Sequence, residues 1–227
     1  MVRWWSGLLA VLSTVAGAVP AATQTGQVSG RITIQEKNNA PSADLGDAVV
    51  YLVGQGVALA PARFEIAISD KTFSPHVLVV PVGSTVAFPN HDPFDHNVFS
   101  VSDSNSFDLG LYGRGEGKGT VFRYPGLVRV FCNVHPRMVA LVQVMATHHF
   151  AQAGGDGSFT ITGVEPGTYK LHVWHERAPQ EIVRDVTVGP NGVSDLQITL
   201  NARGFKWQPH KNKFGKDYPT NAGRERY

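Results

Sequence analysis

From about residue 26 to residue 200, apolar residues fall into short runs separated by Gly, Pro, Asn and Asp. Val28, Ile32 and Ile34 share one parity, as do Phe64, Ile66 and Ile68, and again Leu196, Ile198 and Leu200. Side chains alternate faces along an extended strand, so shared parity predicts half-buried strands with one face in a core. Val77–Val80, Val128–Phe131 and Val139–Val144 are more continuously apolar, which suits core strands of a sandwich. No segment sustains a helical period. The predicted fold class is all-β, in sandwich form.

The N-terminus reads differently. Arg3 is followed by the apolar stretch that begins at Leu8–Val15, and Ala16-Gly17-Ala18 and Ala21 supply small residues for cleavage. This is the pattern of a secretory signal peptide over residues 1–22, and it predicts a periplasmic or secreted protein. No apolar run reaches the roughly 18–20 residues of a membrane span. The formal net charge of +2 is too small to make nucleic acid or a membrane surface the main partner.

Export changes the meaning of the cysteine count, which is one. A lone thiol in an oxidising compartment has no internal disulfide partner, so metal ligation or burial must account for Cys132. Its neighbours favour metal. Cys132-Asn133-Val134-His135-Pro136-Arg137-Met138 is C-x2-H-x2-M between two predicted strands. A thiolate, an imidazole and a thioether on one loop suit copper, and a His2Cys plane with a weak axial Met is an electron-transfer geometry. A second imidazole must come from elsewhere. His96 supplies it, at the strand end that follows Asn90-His91-Asp92-Pro93-Phe94-Asp95; His91 is the competitor.

Phe73-x-Pro75, Val80-x-x-Gly83-x-x-Val86-x-Phe88-x-Asn90-x-Asp92 and His96-Asn97-Val98 resemble the approach of cupredoxins to their first ligand. The short C-x2-H-x2-M loop is similar to that of amicyanins, apart from Arg137, where they carry an aromatic residue. The resemblance implies one type 1 copper, with His96, Cys132 and His135 as equatorial ligands and Met138 as the axial one. It also implies that Asn97 ties the first-ligand strand to the Cys loop, and that the imidazole of His135 is the edge nearest solvent. Asp156-Gly157-Ser158-Phe159-Thr160-Ile161 and Glu165-Pro166-Gly167-Thr168-Tyr169-Lys170-Leu171 resemble the closing half of a carboxypeptidase-regulatory-like sandwich. Gly26–Ile34 and Ala48–Leu52 match its opening half. The combination resembles periplasmic plastocyanin-like or methylamine-utilisation proteins.

The implied organisation is a Greek-key cupredoxin sandwich (62–146) inserted into a smaller transthyretin-like one (23–61 and 147–200), then a basic tail (201–227). Two consecutive domains with an extra N-terminal hairpin are the alternative. The implied function is a single-electron carrier between a redox donor and acceptor, such as a dehydrogenase or cytochrome. Copper delivery without redox shuttling, or a partner-binding β module with a vestigial site, are the rivals. Catalysis is not expected, because Phe131 and Asn133 flank Cys132 where a multicopper oxidase needs histidines.

Other signals are weaker. His148-His149 and the His172/His175 pair read as surface or interdomain hydrogen bonding rather than a second metal site. His76 reads as structural or exposed. Gly110–Thr120 reads as a mobile loop. The tail sets seven Lys and Arg against one Asp and one Glu, and reads as mobile or as a docking arm for an acidic partner. Val128, Val130 and Phe131, with Val139 and Leu141, are the expected apolar shell of the thiolate.

Overall fold

A computed structural model describes residues 25–37, 39–54 and 59–219. The predicted signal peptide, residues 1–22, lies outside the described residues, as does the end of the tail from residue 220. The chain opens with β1 (Gly26–Gln35) and β2 (Val49–Val53). Then come β3 (Arg63–Glu65), β4 (Ala67–Ser69), β5 (Thr72–Ser74), β6 (Val77–Pro81), β7 (Thr85–Asn90) and β8 (His96–Ser100). β9 (Phe107–Tyr112), β10 (Gly115–Val121), β11 (Gly126–Cys132) and β12 (Val139–Met145) follow. The last group is β13 (Phe150–Gln152), β14 (Ser158–Val164), β15 (Gly167–Trp174), β16 (Ile182–Val188) and β17 (Val193–Asn201). The class is all-β, as the parity of the apolar residues predicts.

The strands of the described residues form four sheets. Two of them, ordered β14-β1-β17 and β13-β2-β15-β16, combine strands from both ends of the described chain. Their facing residues, among them Val28, Ile32, Leu52, Ile161, Leu171 and Ile198, close one core. The other two sheets, β10-β7-β4-β5 with β3 beside β7, and β6-β12-β11-β8-β9, use only the strands between. They enclose a second core that includes Ile66, Phe73, Phe88, Val98, Val130 and Cys132.

β12 belongs to both worlds. Its even residues Ala140, Val142 and Val144 pack into the core that holds Cys132. Its odd residues Val139, Leu141 and Met145 turn outward and join Val49, Val77, Phe150 and Trp174 in a third cluster, where the two sandwiches meet. This corrects the expected shell of the thiolate: Val128 and Val130 share its core, whereas Val139 and Leu141 face the other sandwich. The alternation of a strand makes this unavoidable, because a strand apolar on both faces has two partners. The same junction engages His76, whose ring bridges the Val139 carbonyl (3.2 Å) and the Glu176 carboxylate (2.7 Å).

Two loop expectations are overturned. Residues 115–121 form β10, paired antiparallel with β7 through a bulge between Gly115 and Lys118. Gly117 makes that bulge possible: its φ is +71°, and a Cβ there would sit 1.9 Å from the Phe88 carbonyl oxygen. The Gly-rich composition marks a strand whose backbone must approach its neighbour closely. The tail is not free either. Residues 202–219 run across the end of the sandwich that carries Cys132, through contacts described next.

Candidate metal centre

β8 and β11 are antiparallel neighbours, with Val98 opposite Cys132 and Phe99 opposite Phe131. This register places His96, the first residue of β8, beside Cys132, the last of β11. The chain then turns through Asn133–Arg137 and returns as β12. The Met138 N–H donates to the His135 carbonyl (3.2 Å), and the Cys132 N–H to the Met138 carbonyl (3.3 Å), so the loop is closed on itself. The Asn133 N–H donates to the main-chain carbonyl of Asn97 (2.9 Å), which moors the loop to β8.

One donor atom from each of His96, Cys132 and His135 lies within 4.8 Å of the other two, and all three residues are buried. Cys132 Sγ is 3.5 Å from His96 Nδ1 and 3.7 Å from His135 Nδ1. A metal with ordinary bonds of about 2.05 Å to nitrogen and 2.3 Å to sulfur sets those edges at roughly 3.5 Å (tetrahedral) to 3.8 Å (trigonal planar). The observed separations fall at this scale, so the donor set fits an ion at its centre. Met138 is buried in the same core as Cys132.

The charges agree with this geometry. Burial pushes the Cys132 thiol up, although the backbone N–H groups of Asn97, Val134 and His135 pull the other way. The thiol is thus protonated until an ion displaces the proton. Burial also lowers His96, against the opposing pull of Asp92, which keeps the ring neutral and a ligand. His96 Nε2 lies 2.8 Å from Asp92 Oδ2. A carboxylate only accepts, so Nε2 carries the proton and Nδ1, facing the sulfur, keeps its lone pair.

Asp92 is itself fixed. Its Oδ1 accepts the Asp70 N–H (2.7 Å) and its Oδ2 the Lys71 N–H (3.0 Å), both from the β4–β5 turn, where the two residues have positive φ. The Asn90 side chain closes the approach by accepting the Asp92 N–H (2.9 Å) and donating to the Phe94 carbonyl (2.9 Å). Phe94 lies against both imidazoles, with ring centroids 5.4 Å from His96 and 5.8 Å from His135. His91 is exposed and takes no part in the group.

Asn97 joins β8 to the Cys loop through its main chain. Its side-chain amide donates to Asp108 (2.6 Å). Asp108 also accepts from Lys213 Nζ of the tail (2.6 Å). Further tail contacts follow. His210 stacks on Phe131 (4.5 Å, 22°), the Lys213 N–H donates to Asn133 Oδ1 (2.9 Å), and the Tyr218 hydroxyl donates to the Cys132 carbonyl (2.9 Å). Arg137 lies over the Trp207 ring at 5.3 Å. His135 is only 9 % exposed, and His210 Nε2 lies 3.3 Å from its main-chain carbonyl. The imidazole expected to be nearest solvent belongs to a buried residue.

The Asp108–Lys213 pair gives this docking a pH signature. Burial opposes the Asp108 charge, but hydrogen bonds from Lys213, Asn97 and the Gly110 N–H outweigh it and lower the pKa to about 2. A depressed carboxylate contributes stability above its unfolded pKa of about 3.9 and loses it as pH falls toward the folded value. The tail is expected to stay docked down to about pH 4 and to loosen between about pH 4 and pH 2, followed by Trp207 fluorescence. At neutral pH, Asp108→Ala is expected to speed tryptic cleavage of the tail about fivefold, the factor matching ~1 kcal/mol for a partly exposed pair. An unchanged cleavage rate would show that the tail's other contacts hold it without this pair.

Comparison with known proteins adds the following. The family model of the carboxypeptidase regulatory-like domain matches residues 136–201. That span holds β12 to β17 and leaves out β1 and β2, which complete the same two sheets as β13–β17. No curated protein matches the chain. Among solved structures the chain is similar to a purple cupredoxin from Nitrosopumilus maritimus, at 29% identity over 36% of this chain and 98% of that one (TM-score 0.33). It is similar to a reduced amicyanin variant at 23% identity over 37% of this chain and 82% of that one (TM-score 0.35). A copper-containing nitrite reductase from Thermus scotoductus shares 26% identity over 50% of this chain and 28% of its own (TM-score 0.35). At such TM-scores the likeness is no argument for metal binding, which rests on the side chains themselves. In family terms, the all-β chain joins a likeness to cupredoxins with a likeness to carboxypeptidase regulatory-like domains.

Proposed function

We propose that the protein is a type 1 copper protein that carries single electrons between redox partners, with His96, Cys132 and His135 as equatorial ligands and Met138 as the axial one. The observation that supports this most is the convergence of two imidazole Nδ1 atoms on one buried thiol at 3.5 and 3.7 Å. Bound copper supplies reversible Cu(I)/Cu(II) chemistry. What the chain contributes is constraint. His96 is fixed through Asp92, Cys132 by its place at the end of β11, and His135 by the closed loop and the tail. Ligands held this firmly change position little between oxidation states, which is what fast electron exchange needs.

A carrier rather than a catalyst is favoured because the residues flanking Cys132, Phe131 and Asn133, supply no bridge to further copper ions. In this reading residues 62–146 form the copper unit, inserted into a sandwich made by 23–61 and 147–200. Residues 1–22 direct export to the periplasm or outside the cell. Among the described residues, no helix is long and apolar enough to cross a membrane. The redox donor and acceptor, a dehydrogenase or cytochrome by class, would meet the tail-covered end of the copper unit.

The test is voltammetry of the copper-loaded full chain. A single reversible one-electron wave is expected, with one copper bound at the thiolate. An irreversible wave, with Cu(I) lost readily to a weak chelator, would instead indicate copper delivery.

A further inference from the structure

We propose that His148, His149 and Glu165 form a second divalent-metal site, separate from the first and suited to Zn(II) or a similar borderline ion. One donor atom from each lies within 4.8 Å of the other two. From sequence the His148-His149 pair reads as surface or interdomain hydrogen bonding, with its third partner 16 residues beyond His149. Neighbouring residues of a strand point to opposite faces. Here they do not, because residues 146–149 lie between β12 and β13 and are not extended. Thr147 Oγ1 accepts the His149 N–H (3.1 Å) and the His148 carbonyl accepts the Phe150 N–H (3.1 Å). The resulting turn brings the two imidazole centroids to 3.7 Å, closer than the 4.9 Å between His96 and His135.

The third donor is positioned as deliberately. Glu165 stands at the start of the turn from β14 to β15, where the Tyr169 hydroxyl donates to its carbonyl (2.9 Å). The edge of the Tyr169 ring packs against His149 (5.8 Å, 86°). His149 is fully buried, with Nε2 3.2 Å from the Glu165 carboxylate and no hydrogen-bond partner for Nδ1 among the described residues. A buried imidazole with an unanswered nitrogen is uncommon in a purely structural role. Glu165, by contrast, is 43 % exposed, which leaves an entrance for an ion and room for water on it. Two imidazoles, one carboxylate and an open position are a ligand set that zinc accepts, and the absence of sulfur separates it from the first site. β12 lies between the two, so they are roughly 20 Å apart at the rise of an extended strand.

The experiment is calorimetric titration of the full chain with Zn(II) alone, in a Cys132→Ser background that removes the thiolate of the first site. Binding is expected to persist there. Adding Glu165→Gln or His148→Ala, both at partly exposed positions, is expected to weaken it about tenfold or more, the scale for losing a metal partner. The blue absorption of the Cu(II)-loaded protein with Cys132 intact should be unaffected by either substitution. Two results would overturn the second site: no Zn(II) binding in the Cys132→Ser chain, or binding that neither substitution weakens. Neither result bears on the copper reading, which stands or falls by its own absorption.

Discussion

Cys132→Ser protein titrated with Cu(II) is expected to show no intense visible band. Such a band arises when an electron moves from a readily oxidised ligand to Cu(II), and a thiolate is the ligand here able to supply it. Imidazole, carboxylate and hydroxyl donors are too hard to do so in the visible. The substitution is nearly isosteric, and the Val134 N–H that donates to the sulfur (3.4 Å) can donate to a serine hydroxyl instead. The fold should therefore survive with a loss of about 1 kcal/mol, on the order of one altered buried hydrogen bond. A thermal melt close to that of the parent establishes that the chain is intact. His96 and His135 remain, so weak and nearly colourless Cu(II) binding should persist. A serine variant that kept the full band would show that the sulfur is not a ligand, and the electron-carrier reading would go with it.

The candidate ligand set was legible because three of its members lie within seven residues, between two apolar runs that read as strands. His96 was legible from its place where a turn-rich segment gives way to an apolar run. What escaped is everything set by long-range approach. Asp92 was visible in the pattern, yet its task depends on two N–H groups more than twenty residues earlier, on a turn whose orientation no local signal encodes. Parity showed that Val139 and Leu141 share a face, but not that this face meets a different sandwich from the one holding Cys132.

The tail was misread for a related reason. Its composition, rich in Lys, Asn, Gly and Pro, is that of a segment with too little apolar surface to fold on its own. It needs no core of its own, because Phe131 and the Cys loop offer a prepared surface. His210, Lys213 and Tyr218 find their partners there. In the same way, Gly110–Thr120 was read as a mobile loop when its glycines are what lets β10 approach β7. Both cases put composition against context, and the partner surface decided.

Asp92→Asn is expected to weaken copper binding about 10- to 100-fold, the range seen when a group behind a metal ligand is lost. The change looks conservative, but the site offers three donors to this side chain and no acceptor that needs one. The carboxylate receives the Asp70 N–H on one oxygen and the Lys71 N–H and His96 Nε2 on the other. An amide has a single oxygen, so in either orientation at least one backbone N–H meets an NH2 group. That conflict costs about 1–3 kcal/mol of stability, as an unsatisfied buried donor does. If the NH2 faces His96, Nε2 can only accept from it, and the ring proton moves to Nδ1. The lone pair aimed at the metal is then gone. The affinity loss should appear in competitive copper titration, and the stability loss in thermal melts of the metal-free protein. Once saturated with Cu(II), the variant should still absorb intensely, because the thiolate is untouched, and this separates it from Cys132→Ser. Parental affinity and melting temperature in Asp92→Asn would mean that His96 does not depend on this carboxylate for its proton or its orientation.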